Sequence, residues 1–208
     1  IEERLVSALE MALSQAVNAA ASNPPPKKLL LVRHGQSTHN AATGDVGFGD
    51  SGADASLYDA PLSALGKWQA ASLKRNAELA SVELAVVSPL TRAIMTLLGA
   101  YPNGPPAPVE CWPSAAEHLT ESCDIGTGAS TLAAHFPQLD VSNLDEVWWY
   151  VSEEADKRDA DASRVRFRES GFMEPEAAAV ARIDLTAARL RARPESVIAV
   201  FGHSDWFN

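Results

Sequence analysis

Three segments set chemically able side chains behind apolar runs. Arg33-His34-Gly35 follows Leu29–Val32, Ser88-Pro89 and Arg92 follow Val82–Val87, and Gly202-His203-Ser204 follows the run that starts at Ser196. Two guanidiniums and two imidazoles therefore stand at the ends of three predicted strands. Arginine's planar fork grips phosphate oxygens in pairs, and histidine supplies a nucleophile or a further donor. Their common target is expected to be a phosphoryl group. A neutral imidazole on His34 can attack phosphorus directly, provided that an acceptor, such as a backbone carbonyl, fixes its other ring nitrogen. Arg33, Arg92 and His203 would meet the charge on the equatorial oxygens, each preorganised donor being worth on the order of 3 kcal/mol. The leaving alkoxide needs a proton from a carboxylic acid of raised pKa, whose carboxylate can later activate water. Arginines take the place of a cation here, so no metal and no cofactor are expected.

The elements that must position these groups can be read from periodicity and punctuation. Leu29–Val32 is an unbroken apolar run with a β-branched end, which suits a strand buried on both faces of a parallel sheet. Gly35 is expected to permit a sharp turn beyond it. Parallel strands joined by helical crossovers bring their carboxyl ends to one edge, where ligands bind. Ser63 is a plausible N-cap for a helix to about Ala80, and Ser88-Pro89 is a strong start signal for a helix to about Leu98. Val109–Trp112 reads as a short third strand, Thr131–Phe136 as a short helix, and Glu153–Arg168 as a solvated helix of mixed charge. Glu174–Arg193 is a longer helix with Pro175 at its start. Residues 1–20, with Leu5, Leu9, Leu13 and Val17 at helical spacing, predict an amphipathic helix, stopped by Pro24-Pro25-Pro26. The fold class expected is a three-layer α/β/α domain with a mostly parallel central sheet. It occupies residues 27–208, behind an N-terminal helix and connector over residues 1–26.

Composition narrows the function further. The chain has 208 residues and a formal charge of −10, with no basic stripe, which argues against a nucleic-acid partner and against attraction to acidic membranes. A phosphate ester would be repelled globally, so a local arginine pocket must do the attracting. Cys111 and Cys123 form no zinc-type spacing with the five histidines and are read as free thiols in a reducing, cytoplasmic setting. The first residue is Ile, so a segment preceding it is expected to be missing.

Arg33-His34-Gly35-x-Ser37-x-x-Asn40, Asp59-x-x-Leu62-Ser63-x-x-Gly66-x-x-Gln69-Ala70, Ser88-Pro89-Leu90-x-Arg92-Ala93 and Val200-x-Gly202-His203-Ser204 together resemble the histidine phosphatase (phosphoglycerate mutase-like) superfamily, branch 1. The local Cys123-Asp124 resembles its plant and protist members more than the glycolytic mutases. The resemblance implies that His34 is the phosphorylated residue and that Ser37 and Asn40 help to hold the phosphate, with Gln36 at its edge. It places Arg92 and His203 in the same pocket and makes Glu117 the acid/base, with Glu121 as the runner-up. The family usually continues through a helix and often a strand beyond the position of Asn208, so a C-terminal part of the domain is expected to be missing.

The function expected is a histidine acid phosphatase-like phosphomonoesterase acting through phosphohistidine on a small-molecule phosphate ester. A phosphoglycerate mutase-type isomerase is the alternative, though the chain lacks a long insertion after the Arg92 helix. A third reading is an inactive phospholigand-binding or scaffolding protein, self-associating through the N-terminal helix. Gly202-His203-Ser204-Asp205-Trp206 lacks the second glycine of a nucleophile elbow, which sets serine hydrolysis aside. His39, His118 and His135 read as structural or exposed, and Trp148, Trp149 and Trp206 as core or pocket walls. Specificity is assigned to the loops Ala41–Tyr58 and Ser122–Phe136.

Overall fold

A computed structural model describes residues 26–44, 54–152 and 157–208. The helix expected over residues 1–20 lies outside these, as do residues 45–53 and 153–156. The apolar runs form four strands: β1 (Lys28–Arg33), β2 (Leu84–Val87), β3 (Val109–Cys111) and β4 (Val197–Gly202). They make one sheet in the order β1-β4-β2-β3 with every pairing parallel. Parallel pairing needs crossovers. α1 (Thr38–Thr43) and α2 (Ala64–Ser72) link β1 to β2, and α3 (Thr91–Ala100) links β2 to β3. α4 (Ala129–His135), α5 (Ala160–Ser170) and α6 (Glu176–Ala192) precede β4, and α7 (Ser204–Phe207) follows it. Arg33 is level with Gly202, and Val87 with Phe201, so three functional segments leave the sheet at one edge.

Alternation along β2 and β4 divides the core. Ala85, Val87, Ala199 and Phe201 pack with Ile94 and Leu97 of α3. Leu84, Val86, Ile198 and Val200 face the other way, onto Leu190 of α6 and Trp206 of α7. The sheet is thus the middle of three layers, as expected, and the two strands are covered on both faces. Among the described residues, no helix is long and apolar enough to cross a membrane.

Three local expectations need correction. β1 stands at the edge of the four-stranded sheet: Leu30 and Val32 pack on the α3 side, but Leu29 is 44% and Leu31 50% exposed. An apolar run of four residues does not encode sheet order. α2 ends at Ser72 and tightens into a 3₁₀ turn at Leu73–Arg75, because Asn76 is extended and its N–H closes on Leu73 O. α3 does not start on Ser88-Pro89; its N-cap is Leu90, which offers no side-chain cap. Asp59 supplies the missing acceptor from a distance, Oδ1 taking the Thr91 N–H and Oδ2 the Thr91 hydroxyl, each at 2.7 Å. Ser88 is thereby left to face the site.

Candidate active site

His34 sits directly beyond β1, in a loop whose shape is set by backbone contact. Gly35 is not among the positive-φ residues, so turning is not what demands glycine there. A Cβ at Gly35 would stand 2.6 Å from the Gly66 carbonyl oxygen, and one at Gly66 would stand 2.0 Å from that of Gln36. The loop and the first turn of α2 press against each other with no room for a side chain. Gln36 tightens the clamp, its N–H reaching Gln69 Oε1 and its Oε1 accepting from the Ser63 hydroxyl, both at 2.8 Å. Ser37 and Asn40 form a capping box at the start of α1: Ser37 Oγ accepts the Asn40 N–H at 3.0 Å, and Asn40 Oδ1 accepts the Ser37 N–H at 3.1 Å. These three residues, expected at the phosphate, all take part in shaping the loop that presents His34.

The imidazole itself is oriented at both nitrogens. Nδ1 lies 2.7 Å from Gly35 O, and a carbonyl only accepts, so Nδ1 carries the proton and Nε2 the lone pair. Arg92 Nε donates to that Nε2 at 3.2 Å. Burial, and then the Arg92 charge, push the His34 pKa down to about 3, which keeps the ring neutral. The His203 ring centroid is 5.2 Å from that of His34. His203 Nε2 is 2.8 Å from Ser88 Oγ, and its buried Nδ1 has no partner among the described residues. Burial, followed by Arg92, also lowers its pKa well below the ordinary value. Arg33 is exposed at the sheet edge, near enough for its charge to disfavour protonation of both rings.

Arg92 is fixed by partners that periodicity did not reveal. Its NH1 donates to Cys123 O at 2.5 Å and its NH2 to Asp124 Oδ1 at 2.8 Å. Asp124 Oδ2 in turn accepts the N–H groups of Thr120 and Glu121 at 3.2 and 3.1 Å. Burial opposes the guanidinium charge, but Cys123, Asp124 and Glu117 more than offset it and hold the pKa above its ordinary value.

Glu117 lies against the turn that follows His203. Its Oε1 accepts the Trp206 N–H at 2.9 Å and its Oε2 the Asp205 N–H at 3.3 Å. Burial, and then the Asp124 charge, raise its pKa to about 7 against the opposing pull of Arg92. Arg182 of α6 fastens the segment: NH1 donates to Ser114 O and Ala116 O, and NH2 to Glu117 O at 3.2 Å and Glu174 Oε2 at 2.7 Å. Neither Arg182 nor Glu174 carried a functional sequence signal, since both read only as parts of the Glu174–Arg193 helix. Glu121 points elsewhere, with Oε2 3.7 Å from His39 Nε2. A cavity of about 190 Å³ bordered by Glu117, Asp124, Trp148, Trp149 and Tyr150 adjoins the site. A larger one of about 690 Å³ lies between Ala129 and Leu144, among residues that take no part in these contacts. Cys111 and Cys123 are free thiols, as expected.

Solved structures of similar shape are known. The alpha-ribazole phosphatase of Shigella flexneri is similar in structure, with a TM-score of 0.51 and 19% identity over 86% of this chain and 75% of its own. A mycobacterial protein titled hydrolase 1 also gives 0.51, at 20% identity over 87% and 77%. A mycobacterial glucosyl-3-phosphoglycerate phosphatase gives 0.45, at 20% identity over 87% and 77%. Among curated proteins, none matches. The first two likenesses show the fold. The sequence pattern described as "Histidine phosphatase superfamily (branch 1)" matches residues 29–138, more than half of the chain, and the chain belongs to that superfamily.

Proposed function

We propose that the protein hydrolyses phosphomonoesters through a phosphohistidine on His34, with arginine and histidine rather than a metal ion meeting the phosphate charge. The observation that carries this reading is the state of His34. It is neutral, with Nδ1–H held by Gly35 O and the Nε2 lone pair facing Arg92 Nε. Nε2 attacks phosphorus, the P–O ester bond breaks, and the leaving oxygen takes the Glu117 proton. Water then attacks phosphorus while Glu117 takes a proton from it, the N–P bond breaks, and inorganic phosphate leaves. Glu117, with a pKa of about 7, is suited to both halves of this cycle. Once the His34 lone pair is bonded to phosphorus, Arg92 Nε is free to donate to an equatorial oxygen, beside His203 Nδ1, which has no partner among the described residues. Arg33 adds long-range attraction. Similarity to an alpha-ribazole phosphatase and membership of the superfamily support the reaction class.

The test is phosphate release from a broad panel of phosphomonoesters in EDTA, with wild type beside His34→Ala. Turnover that survives chelation and disappears in the variant is the expected result, and the best ester names the substrate class. Turnover by the folded His34→Ala protein would sink the assignment. Phosphoryl exchange between substrates without net release would replace hydrolysis by the mutase reading.

A further inference from the structure

We propose that His39, Glu121 and Cys123 bind one divalent transition-metal ion of the zinc class, at a site separate from the phosphoryl-transfer centre. One ligand atom from each residue lies within 4.8 Å of the other two. His39 Nε2 is 3.7 Å and Cys123 Sγ 4.0 Å from Glu121 Oε2. Zinc bonds of about 2.0–2.3 Å in tetrahedral geometry set ligand atoms roughly 3.3–3.7 Å apart. The side chains therefore need only small displacements to close on an ion.

The donor set selects the ion. One imidazole, one carboxylate and one thiolate suit zinc and its neighbours, whereas calcium and magnesium take oxygen ligands. Three protein ligands leave a fourth position for water or an anion. No zinc-type spacing reveals this set, because His39 lies on α1 while Glu121 and Cys123 lie at the far turn that contains Asp124. The fold brings them together on supported backbone. The His39 side chain is 1% exposed and that of Glu121 24%, so the ion enters from the glutamate side. Binding replaces the Cys123 S–H bond by a metal–sulfur bond and releases one proton to solvent. It also ties α1 to the turn whose Cys123 carbonyl and Asp124 carboxylate hold Arg92.

The experiment is a Co²⁺ titration of the reduced full chain, followed by near-ultraviolet absorption, with Zn²⁺ added as competitor. One equivalent should produce a sulfur-to-cobalt charge-transfer band that Zn²⁺ abolishes. Cys123→Ser should remove the band, and Glu121→Gln should weaken binding by at least about tenfold. Cys111→Ser and His34→Asn should leave it unchanged. Far-ultraviolet circular dichroism checks the fold of each variant, and Glu121→Gln, at a partly exposed position, serves if Cys123→Ser does not fold. Absence of a band, a band that persists in folded Cys123→Ser, or one lost in His34→Asn would each overturn the site. The last result would place the ion at the phosphoryl-transfer centre.

Discussion

Asp124 holds Arg92 in a 2.8 Å ion pair with both side chains almost wholly enclosed, 4% and 3% exposed. The guanidinium expected to greet phosphate thus has its NH2 already committed to a carboxylate, while its Nε faces His34. Asp124 acts by aiming Arg92. Removing one partner of a buried pair strands the other charge, at a cost of about 3–5 kcal/mol. Asp124→Ala should lower unfolding stability by that order, and Asp124→Asn by less, since an amide oxygen can still accept from NH2. In Asp124→Asn, kcat should fall more than substrate affinity. Stopped-flow turnover beside urea unfolding checks both, and a variant with native stability and native kcat would refute the aiming role.

Asp59 is the trans-acting cap of the helix that carries Arg92, with φ at +42°. Loss of a capping acceptor typically costs about 1–2 kcal/mol. Asp59→Ala should cost at least that and reduce kcat by displacing the start of α3. Asparagine tolerates positive φ and keeps one acceptor, so Asp59→Asn should be milder on both counts. Equal effects of the two substitutions in chemical denaturation would show that the cap is not what Asp59 supplies.

Much of this was legible because local signals and function coincide. Apolar runs followed by Arg33-His34, Arg92 and His203 marked the strands and their shared edge. Burial on both faces leaves β2 and β4 no polar position until they reach solvent, whereas β1 keeps an apolar run at the sheet edge with Leu29 and Leu31 exposed. What stayed hidden depends on distance in sequence. The Asp59 cap, the Asp124 clamp and the Arg182 staple join segments far apart, and a charged residue in a polar stretch carries no mark of its partner. Ser88-Pro89 misled for the same reason: the local cap signal was overridden by a remote carboxylate, and the serine bonded to His203. Glu117 was preferred to Glu121 on resemblance alone, and the burial and Asp124 charge that raise its pKa arise only from tertiary packing.

Gly66 tests the clamp between the His34 loop and α2. A methyl group there would stand 2.0 Å from the Gln36 carbonyl oxygen, so backbone must move. Ala would ordinarily favour a helix over Gly by up to about 1 kcal/mol; here the sign should reverse. Gly66→Ala is expected to destabilise the protein and to reduce kcat by moving His34. A stabilised variant in thermal unfolding would contradict the contact.

The activity profile should follow Glu117. As the proposed general acid it must be protonated in the free enzyme, so kcat/KM for an alkyl phosphate should fall as pH rises through about 7. His34, with a pKa of about 3, is already neutral across that range and imposes no limb there. Glu117→Gln cannot donate a proton, so its profile should be low and flat. An aryl phosphate, whose leaving group needs no proton, should recover much of the lost phosphorylation rate. A descending limb that persists in Glu117→Gln would assign the ionisation to another group.

The same two groups should shape stability in opposite directions. The Glu117 pKa is raised from 4.5 to about 7 in the folded protein. Its contribution is complete below the unfolded value and is lost as pH rises between the two. The His34 pKa is depressed from 6.5 to about 3. Its contribution is complete above 6.5 and is lost as pH falls toward 3, because the unfolded ring gains a proton that the folded ring refuses. Glu117→Gln should therefore gain stability relative to wild type as pH rises from about 4.5 to 7. His34→Asn should gain relative to wild type as pH falls below about 6.5. Melting temperatures measured over this range decide the matter: parallel curves for wild type and both variants would mean that neither group is shifted by burial.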